Sequence, residues 1–516
     1  MASPLKLLLL TIATLLMGAL AISNQSFWID EGAAAMKALQ PTLAGWWNAL
    51  RVEGHSNLQL LPHLLYLWVW EKGFGASEIS LRAANVPLLW GGLVAAMWGL
   101  RPQPRIAFWF ALLALVNAFI WYYTGEARPY VLLFAASCLA LAPIARAVDM
   151  PDRAVEERSW LPLLCLGLFL VSATSLVAVP WTLCWLLTAI VTVGRERFFR
   201  IIRARWITAG LFALAMTLLG AYYLWTLTLG ARASAGVGST GIANLVFVLY
   251  EQLGLAGLGA GRNDLREFAA SALQPYALLL ACGVATVAVT TWHSLLGLRE
   301  AMRRKRALHT MLLIAVLPFA VVAAAGWLMH VRLLGRHFTP LLPILIFGMA
   351  LGSDHAWRSK KRVGAVVALS LIAVLLWSSL QVRFAARHQR DDYRSAARVA
   401  NEAIAANKKV WWAADHSTGL YYKVPLNGFD SGGGAASLLN PTLETLSRMD
   451  APDIIVISKQ DIYDVHGTLR DYASSEGFVL SATFQAFKIY ARRPGHLPPP
   501  AVNAGIGVLP IAAPEV

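Results

Sequence analysis

Three short polar stretches in a mostly apolar chain carry residues able to do chemistry, and ionisable groups near a bilayer are costly enough to mark functional positions. The first, Phe27-Trp28-Ile29-Asp30-Glu31-Gly32, sets two carboxylates side by side. One of such a pair can act as a general base while the other anchors a hydroxyl or an ion. The same residues also suit a helix start, with Asp30 capping a helix from Glu31 to Leu39 and Glu31 favoured by its dipole. The second stretch, Tyr122 to Tyr130, holds Glu126 and Arg128 in a tight turn. It offers a second carboxylate and a phosphate-binding guanidinium, or a local ion pair beside a belt of interfacial tyrosines. The third, Arg332 to Pro340, places Arg336 next to His337, a pairing suited to a phosphate leaving group, although Arg332 and Arg336 could equally snorkel to lipid headgroups.

Weaker signals surround these. His55, Asn57 and His63 lie in the first long loop, where they could line a cavity or bind a metal, but the eight-residue spacing of the histidines is no metal signature. The glycines at 236, 238 and 241 and from 254 to 261 suit a flexible loop beside an apolar patch, and no strand-to-helix unit frames them as a dinucleotide fingerprint. Asp415-His416-Ser417 resembles a hydrolase triad by letter alone, since triads are assembled by geometry. The sequence contains no Walker A element, no His-Glu-x-x-His, no Gly-x-Ser-x-Gly and no Asp-x-Asp. ATP-driven transport and the common hydrolases lose support accordingly.

The elements that position these residues are mostly membrane helices. The chain has 516 residues, of which 57% are hydrophobic and only 14% charged, and its mean hydropathy is +0.55. Apolar runs of about 18 to 22 residues are long enough to cross a bilayer. Candidate spans cover 4–22, 79–99, 106–123, 130–147, 160–175, 177–193, 206–228, 272–292, 309–329, 338–352 and 363–380, about eleven helices. The net charge of +15 fits basic cytoplasmic loops and makes nucleic acid an unnecessary partner. Cys138, Cys165, Cys184 and Cys282 all fall inside apolar runs, which gives no support to a disulfide framework or a metal cluster.

Parity orients the chain. With the N-terminus in the cytoplasm, the basic groups at 101–105, 146–158, 195–205, 299–306 and 358–362 all fall on the cytoplasmic side, and the three polar stretches on the other. That assignment requires the apolar stretches 58–70 and 242–260 to be interfacial or re-entrant rather than spanning. An odd number of spans leaves the C-terminus outside. The expected organisation is therefore a membrane domain over 1–382, with interfacial outer-loop helices near 23–78 and 230–270, and an extracytoplasmic α/β domain over 383–493. In the latter, a helix from Asp391 to about Asn407, a strand from Val410 to Ala414, a helix capped by Asn440, a strand at Ile454 to Ile457, a helix near 466–475 and two closing strands alternate. A Pro-rich tail, 494–516, is expected to be disordered.

Four motifs in order now resemble the GT-C superfamily of integral-membrane glycosyltransferases: Asp30-Glu31 after the first span, Gly75-Ala76-Ser77-Glu78 with Leu81-Arg82, Glu126-Ala127-Arg128-Pro129-Tyr130, and Arg336-His337-Phe338-Thr339-Pro340. The nearest branches are the dolichyl-phosphate-mannose protein mannosyltransferases and the bacterial aminoarabinose lipid A transferases, and the likeness covers roughly residues 1–350. The family's His-Pro-Pro-Leu-Tyr-Tyr element has counterparts only in His55-Ser56-Asn57-Leu58 and Pro62-His63-Leu64-Leu65-Tyr66.

The resemblance implies a multi-pass inner (plasma) membrane enzyme that moves a hexosyl or pentosyl group from a polyprenyl-phosphate donor to an extracytoplasmic lipid, polysaccharide or protein, by inversion. Asp30 would be the base, with Glu31 and Glu126 positioning the acceptor or a divalent cation, and Arg128, Arg336 and His337 holding the donor phosphate. A lipid-linked sugar flippase or secondary transporter is the alternative. Such proteins favour mid-membrane ionisable groups and repeated halves, and no internal repeat is evident.

Overall fold

The computed structural model describes residues 4–149, 157–229, 240–301, 312–359, 362–427 and 434–493. Several expectations lie outside them: the Pro-rich tail 494–516, Gly236 and Gly238, Arg153, most of the basic group 299–306, and Lys360 and Lys361. The chain divides into two compact units, one of residues 1–23 and 41–388, the other of residues 24–40 and 389–516.

The larger unit is helical. Among the described residues, seven helices are long and apolar enough to cross a membrane: Pro4–Ala21, Glu78–Gly99, Tyr130–Val148, Leu176–Val193, Trp206–Thr228, Arg262–Leu298 and Arg362–Phe384. An eighth is counted if Pro104–Leu115 and Ala118–Thr124, bent by 57°, form one span. Trp160–Thr174 and Leu313–Leu328 are apolar but shorter, and Leu342–Arg358 has 17 residues. The two stretches read as interfacial are helices too. Leu61–Phe74 has 14 residues and Ile242–Gln252 has 11. At about 1.5 Å per residue neither reaches the ~30 Å of a hydrocarbon core.

Apolar side chains of Leu89, Leu93, Leu113, Leu342, Ile346, Leu371 and Leu375 form one fully buried core of this unit, and Trp160, Trp181 and Trp185 anchor a second. Apolar groups that face lipid need no water-facing stripe, so helices such as Trp206–Thr228 expose Leu211, Leu214 and Leu218 without penalty.

The smaller unit carries a six-stranded sheet: β1 Val410–Ala413, β2 Leu426–Asn427, β3 Ala435–Ser437, β4 Ile454–Ser458, β5 Phe478–Phe484 and β6 Phe487–Arg492, in the order β2-β3-β1-β4-β6-β5. β2, β3, β1 and β4 run parallel, while β6 is antiparallel to β4 and β5. β1 and β4 are buried on both faces, as central parallel strands require, and both read as unbroken apolar runs. The helix Tyr393–Ala405 starts where expected, with Asp392 accepting from Ser395 N at 3.1 Å.

Two local expectations change. Asn440 caps no helix: it sits at φ 47°, binds Ile462 O and Val465 N through its amide, and leaves the cap of Leu443–Ser447 to Thr442. Asp415 is itself a cap, accepting from Thr418 N at 2.7 Å and Thr418 Oγ1 at 2.6 Å, which binds its carboxylate into a helix start rather than a triad.

Candidate functional site

Asn117 breaks the span that begins at Pro104. Its side chain accepts from Phe119 N at 2.8 Å and so starts a new short helix, Ala118–Thr124, at the 57° bend. The turn that follows carries Glu126 and Arg128, buried to 0% and 5% exposure. It is held from outside by Asn85, whose amide Nδ2 donates to the carbonyls of Tyr123 and Thr124 at 3.2 and 3.3 Å and also to that of Glu126. Inside the turn, Arg128 N donates to Glu126 O at 2.7 Å. The Gly75 to Arg82 motif contributes support of the same kind. Ser77 caps the helix Glu78–Ala83, and fully buried Arg82 donates to Ser23 O at 2.8 Å, tying down the chain just past the first helix.

Tyr123 is the hub. Its ring packs edge-on to Tyr130 at 4.6 Å and lies against Phe119 at 4.5 Å. Its hydroxyl accepts from Arg262 Nη2 at 3.0 Å, and it stands within electrostatic reach of Arg262, Glu251, Glu126 and Arg336. Arg262 stacks 3.9 Å over Tyr122 and pairs with the buried Glu251 at 2.6 Å. The Arg336 guanidinium lies 5.9 Å from the Tyr130 ring.

The loop bearing Arg336 is fixed by neighbours of Glu251. Gln252 Nε2 donates to Gly335 O at 2.9 Å, and Thr240 Oγ1 bridges Val331 O and Leu333 N. Glycine at 335 leaves room for the Glu251 carboxylate, since a Cβ there would lie 2.0 Å from one of its oxygens and the side chain or the loop would have to shift. His337 accepts from Leu334 N through Nδ1 at 2.9 Å, so a neutral ring carries its proton on Nε2. Arg332 is exposed, as headgroup snorkelling requires.

The candidate cavity residues divide. Asn57 Oδ1 accepts from Arg128 Nη1 at 3.3 Å, while its Nδ2 donates to Glu53 at 2.9 Å. His63, on the helix Leu61–Phe74, is fully buried, and that burial together with the Arg128 charge pushes its imidazole down to about 3. The side chain of His55 lies outside the described residues. Among the described residues no three His, Cys, Asp or Glu side chains converge to hold a metal ion.

A small cleft opens beside the hub, lined by Tyr122, Tyr123, Tyr250, Glu251, Arg262 and His388 among others. Three guanidinium groups and two carboxylates surround Tyr123 and its turn, leaving a net positive field suited to one anion. Sequence reasoning missed Glu251, Arg262 and Asn85. Glu251-Gln252 was legible as a charged and amide pair ending the apolar stretch that opens at Ile242.

Asp30 and Glu31 belong to the smaller unit. The helix there begins at Ile29, one residue before the expected cap, and Trp28 at its N-cap position makes no side-chain cap. Asp30 and Glu31 thus occupy the first helical turn, where the dipole favours both. Glu31 is fully buried and paired with Arg390 at 2.7 Å. Asp30 is half-buried and lies within electrostatic reach of Tyr463, as do Asp391 and Asp415. Ser26 Oγ donates to Asp391 O, and the Asp391 carboxylate pairs with Lys459 at 2.6 Å.

No family model matches the sequence, and no curated protein does. Solved structures do. ArnT from Cupriavidus metallidurans in the apo state superimposes with a TM-score of 0.56 at 13% identity, over 95% of this chain and 98% of that one. The same protein bound to undecaprenyl phosphate gives 0.52 at 13% identity, over 96% and 100%. The archaeal oligosaccharyltransferase AglB from Archaeoglobus fulgidus, in complex with an inhibitory peptide and a dolichol-phosphate, gives 0.44 at 11%, over 95% and 75%. The fold is GT-C-like, as the four motifs led one to expect.

Proposed function

Because the fold is GT-C-like, we propose that the chain is a membrane glycosyltransferase that takes a sugar from a polyprenyl-phosphate donor and passes it to an extracytoplasmic acceptor. The observation that carries this reading is the gathering of Glu126, Glu251, Arg262 and Arg336 about Tyr123, with Arg128 in the same turn. Such a cluster suits a lipid-borne phosphate, because its guanidinium groups are pre-oriented and partly desolvated. ArnT, whose fold this chain shares, was solved bound to undecaprenyl phosphate, which supports the same donor class here.

The transfer is an inverting displacement. The acceptor oxygen attacks the anomeric carbon as its proton passes to a base, and the bond from that carbon to the phosphate oxygen breaks, the electron pair leaving with polyprenyl phosphate. We assign the base to Asp30, on the sequence reading. The departing phosphate needs charge stabilisation more than a proton, and Arg336 and Arg128 supply it. His337 adds an Nε2–H donor, because Nδ1 already accepts from the backbone. Glu126 orients the acceptor, and Glu31 acts as a positioning residue that fixes the first turn holding Asp30. No step is routed through a metal. The charge parity of the loops supports a cytoplasmic N-terminus and an extracytoplasmic α/β unit.

The reading is tested by supplying the purified full chain with a panel of polyprenyl-phosphate sugars and a cell-envelope extract as acceptor, and following release of polyprenyl phosphate. Release with at least one sugar, dependent on the extract, is expected. No release across hexosyl and pentosyl donors would contradict it.

A further inference from the structure

Away from this constellation, the helices Ala277–Ala301 and Leu342–Arg358 come into backbone contact. A Cβ on Gly352 would lie 2.3 Å from Thr290 O, so only glycine permits the approach. Ser294 Oγ fastens the pair, within 2.6 Å of Gly348 O and 2.9 Å of Thr290 O. His293 directly precedes Ser294, and His355 lies about one helical turn beyond Gly352. His293 and His355 therefore face one another, with Nδ1 to Nδ1 at 3.3 Å and ring centroids 5.5 Å apart.

That separation has a chemical meaning beyond a hydrogen bond. Two imidazole nitrogens held about 2.0 to 2.1 Å from one tetrahedral ion stand roughly 3.3 to 3.4 Å apart. The two rings thus present the bite of a zinc-class ion with the helices already in place. Both are half-buried. Asp354, the residue before His355, is paired with Arg358 at 2.8 Å and is not counted as a ligand.

We propose that His293 and His355 form a zinc-binding site that clips these two helices together through both Nδ1 atoms. Two imidazoles occupy two positions of a tetrahedral shell, and water in the remaining ones makes for a modest affinity. Neutral imidazole suits zinc, copper and nickel and is a poor ligand for magnesium or calcium, which separates this site from any hard-cation requirement. It is independent of the transferase reading and stands or falls without it.

The test uses the full-length protein in detergent, purified without a histidine tag and stripped by chelator. Thermal unfolding is followed as ZnCl2 or MgCl2 is titrated. The proposal expects a saturable rise in Tm with zinc alone, because an ion that binds only the folded state stabilises it. His293→Gln and His355→Gln should each weaken the apparent zinc affinity at least tenfold. An unchanged response in both variants, or no saturable response of the wild type up to millimolar zinc, would overturn it. Cobalt(II) titration of the wild type, read by visible absorbance, gives an answer that does not depend on the variants folding. One saturating spectrum per chain supports the site, and its absence refutes it.

Discussion

Arg390 reaches Glu31 at 2.7 Å, and the two side chains are buried to 8% and 0% exposure. An ion pair so enclosed holds residues 24–40 to the α/β unit and leaves Asp30, its sequence neighbour, only half-buried. Breaking such a pair from one side strands a charge and costs about 3 to 5 kcal/mol, whereas replacing both partners with apolar groups of like volume is near neutral. Arg390→Ala should therefore lower the unfolding temperature of the full chain markedly, and Glu31→Leu combined with Arg390→Met should recover most of it. Differential scanning fluorimetry in detergent reads both.

Asp30→Asn keeps the shape and the first-turn position but removes the base. Transfer should fall by about 10² to 10⁴ with the unfolding temperature unchanged. Wild-type transfer by a folded Asp30→Asn protein would remove Asp30 from the reaction.

Gly335→Ala tests how the Arg336 loop is set. The added Cβ would stand 2.0 Å from the Glu251 carboxylate, so either that side chain or the loop must move. Donor KM should rise at least tenfold, since a misplaced guanidinium loses much of its charge-assisted binding. Gly335→Ala combined with Glu251→Ala removes the clash and should recover part of the donor affinity.

His63 gives a pH signature. Its folded value near 3 lies below the ordinary 6.5, so between those limits the unfolded chain binds a proton that the folded one does not. Stability therefore rises with pH across that window and is lost as pH falls from about 6.5. His63→Leu should flatten the slope of Tm against pH between 5 and 6.5, and an unchanged slope would show that His63 does not set it.

Much of the fold was legible because its signals are strong. Apolar runs marked the seven helices, or eight with the bent pair, that are long enough to cross a membrane among the described residues, against about eleven expected, and β1, β4, β5 and β6 were readable as apolar or alternating strands, whereas β2 and β3 have two and three residues and carry no period. Asn440 misled, because the residue pair Asn-Pro fits a helix start and an irregular turn equally well, and a positive φ cannot be read from letters. At the site, Glu126, Arg128 and Arg336 stood out as charges beside apolar helices. Glu251 and Arg262 did not, because each looks ordinary until a 2.6 Å pair and the Tyr123 hydroxyl bring them together. The burial of Glu31 was likewise invisible, its partner lying 359 residues away.

Equilibrium binding of radiolabelled undecaprenyl phosphate to the full chain in nanodiscs tests most directly whether the cluster about Tyr123 holds a lipid-borne phosphate. Saturable binding by the wild type, weakened at least tenfold by Arg336→Ala in a protein of unchanged Tm, is the predicted result. Equal binding by the wild type and Arg336→Ala, or no saturable binding at all, would contradict it.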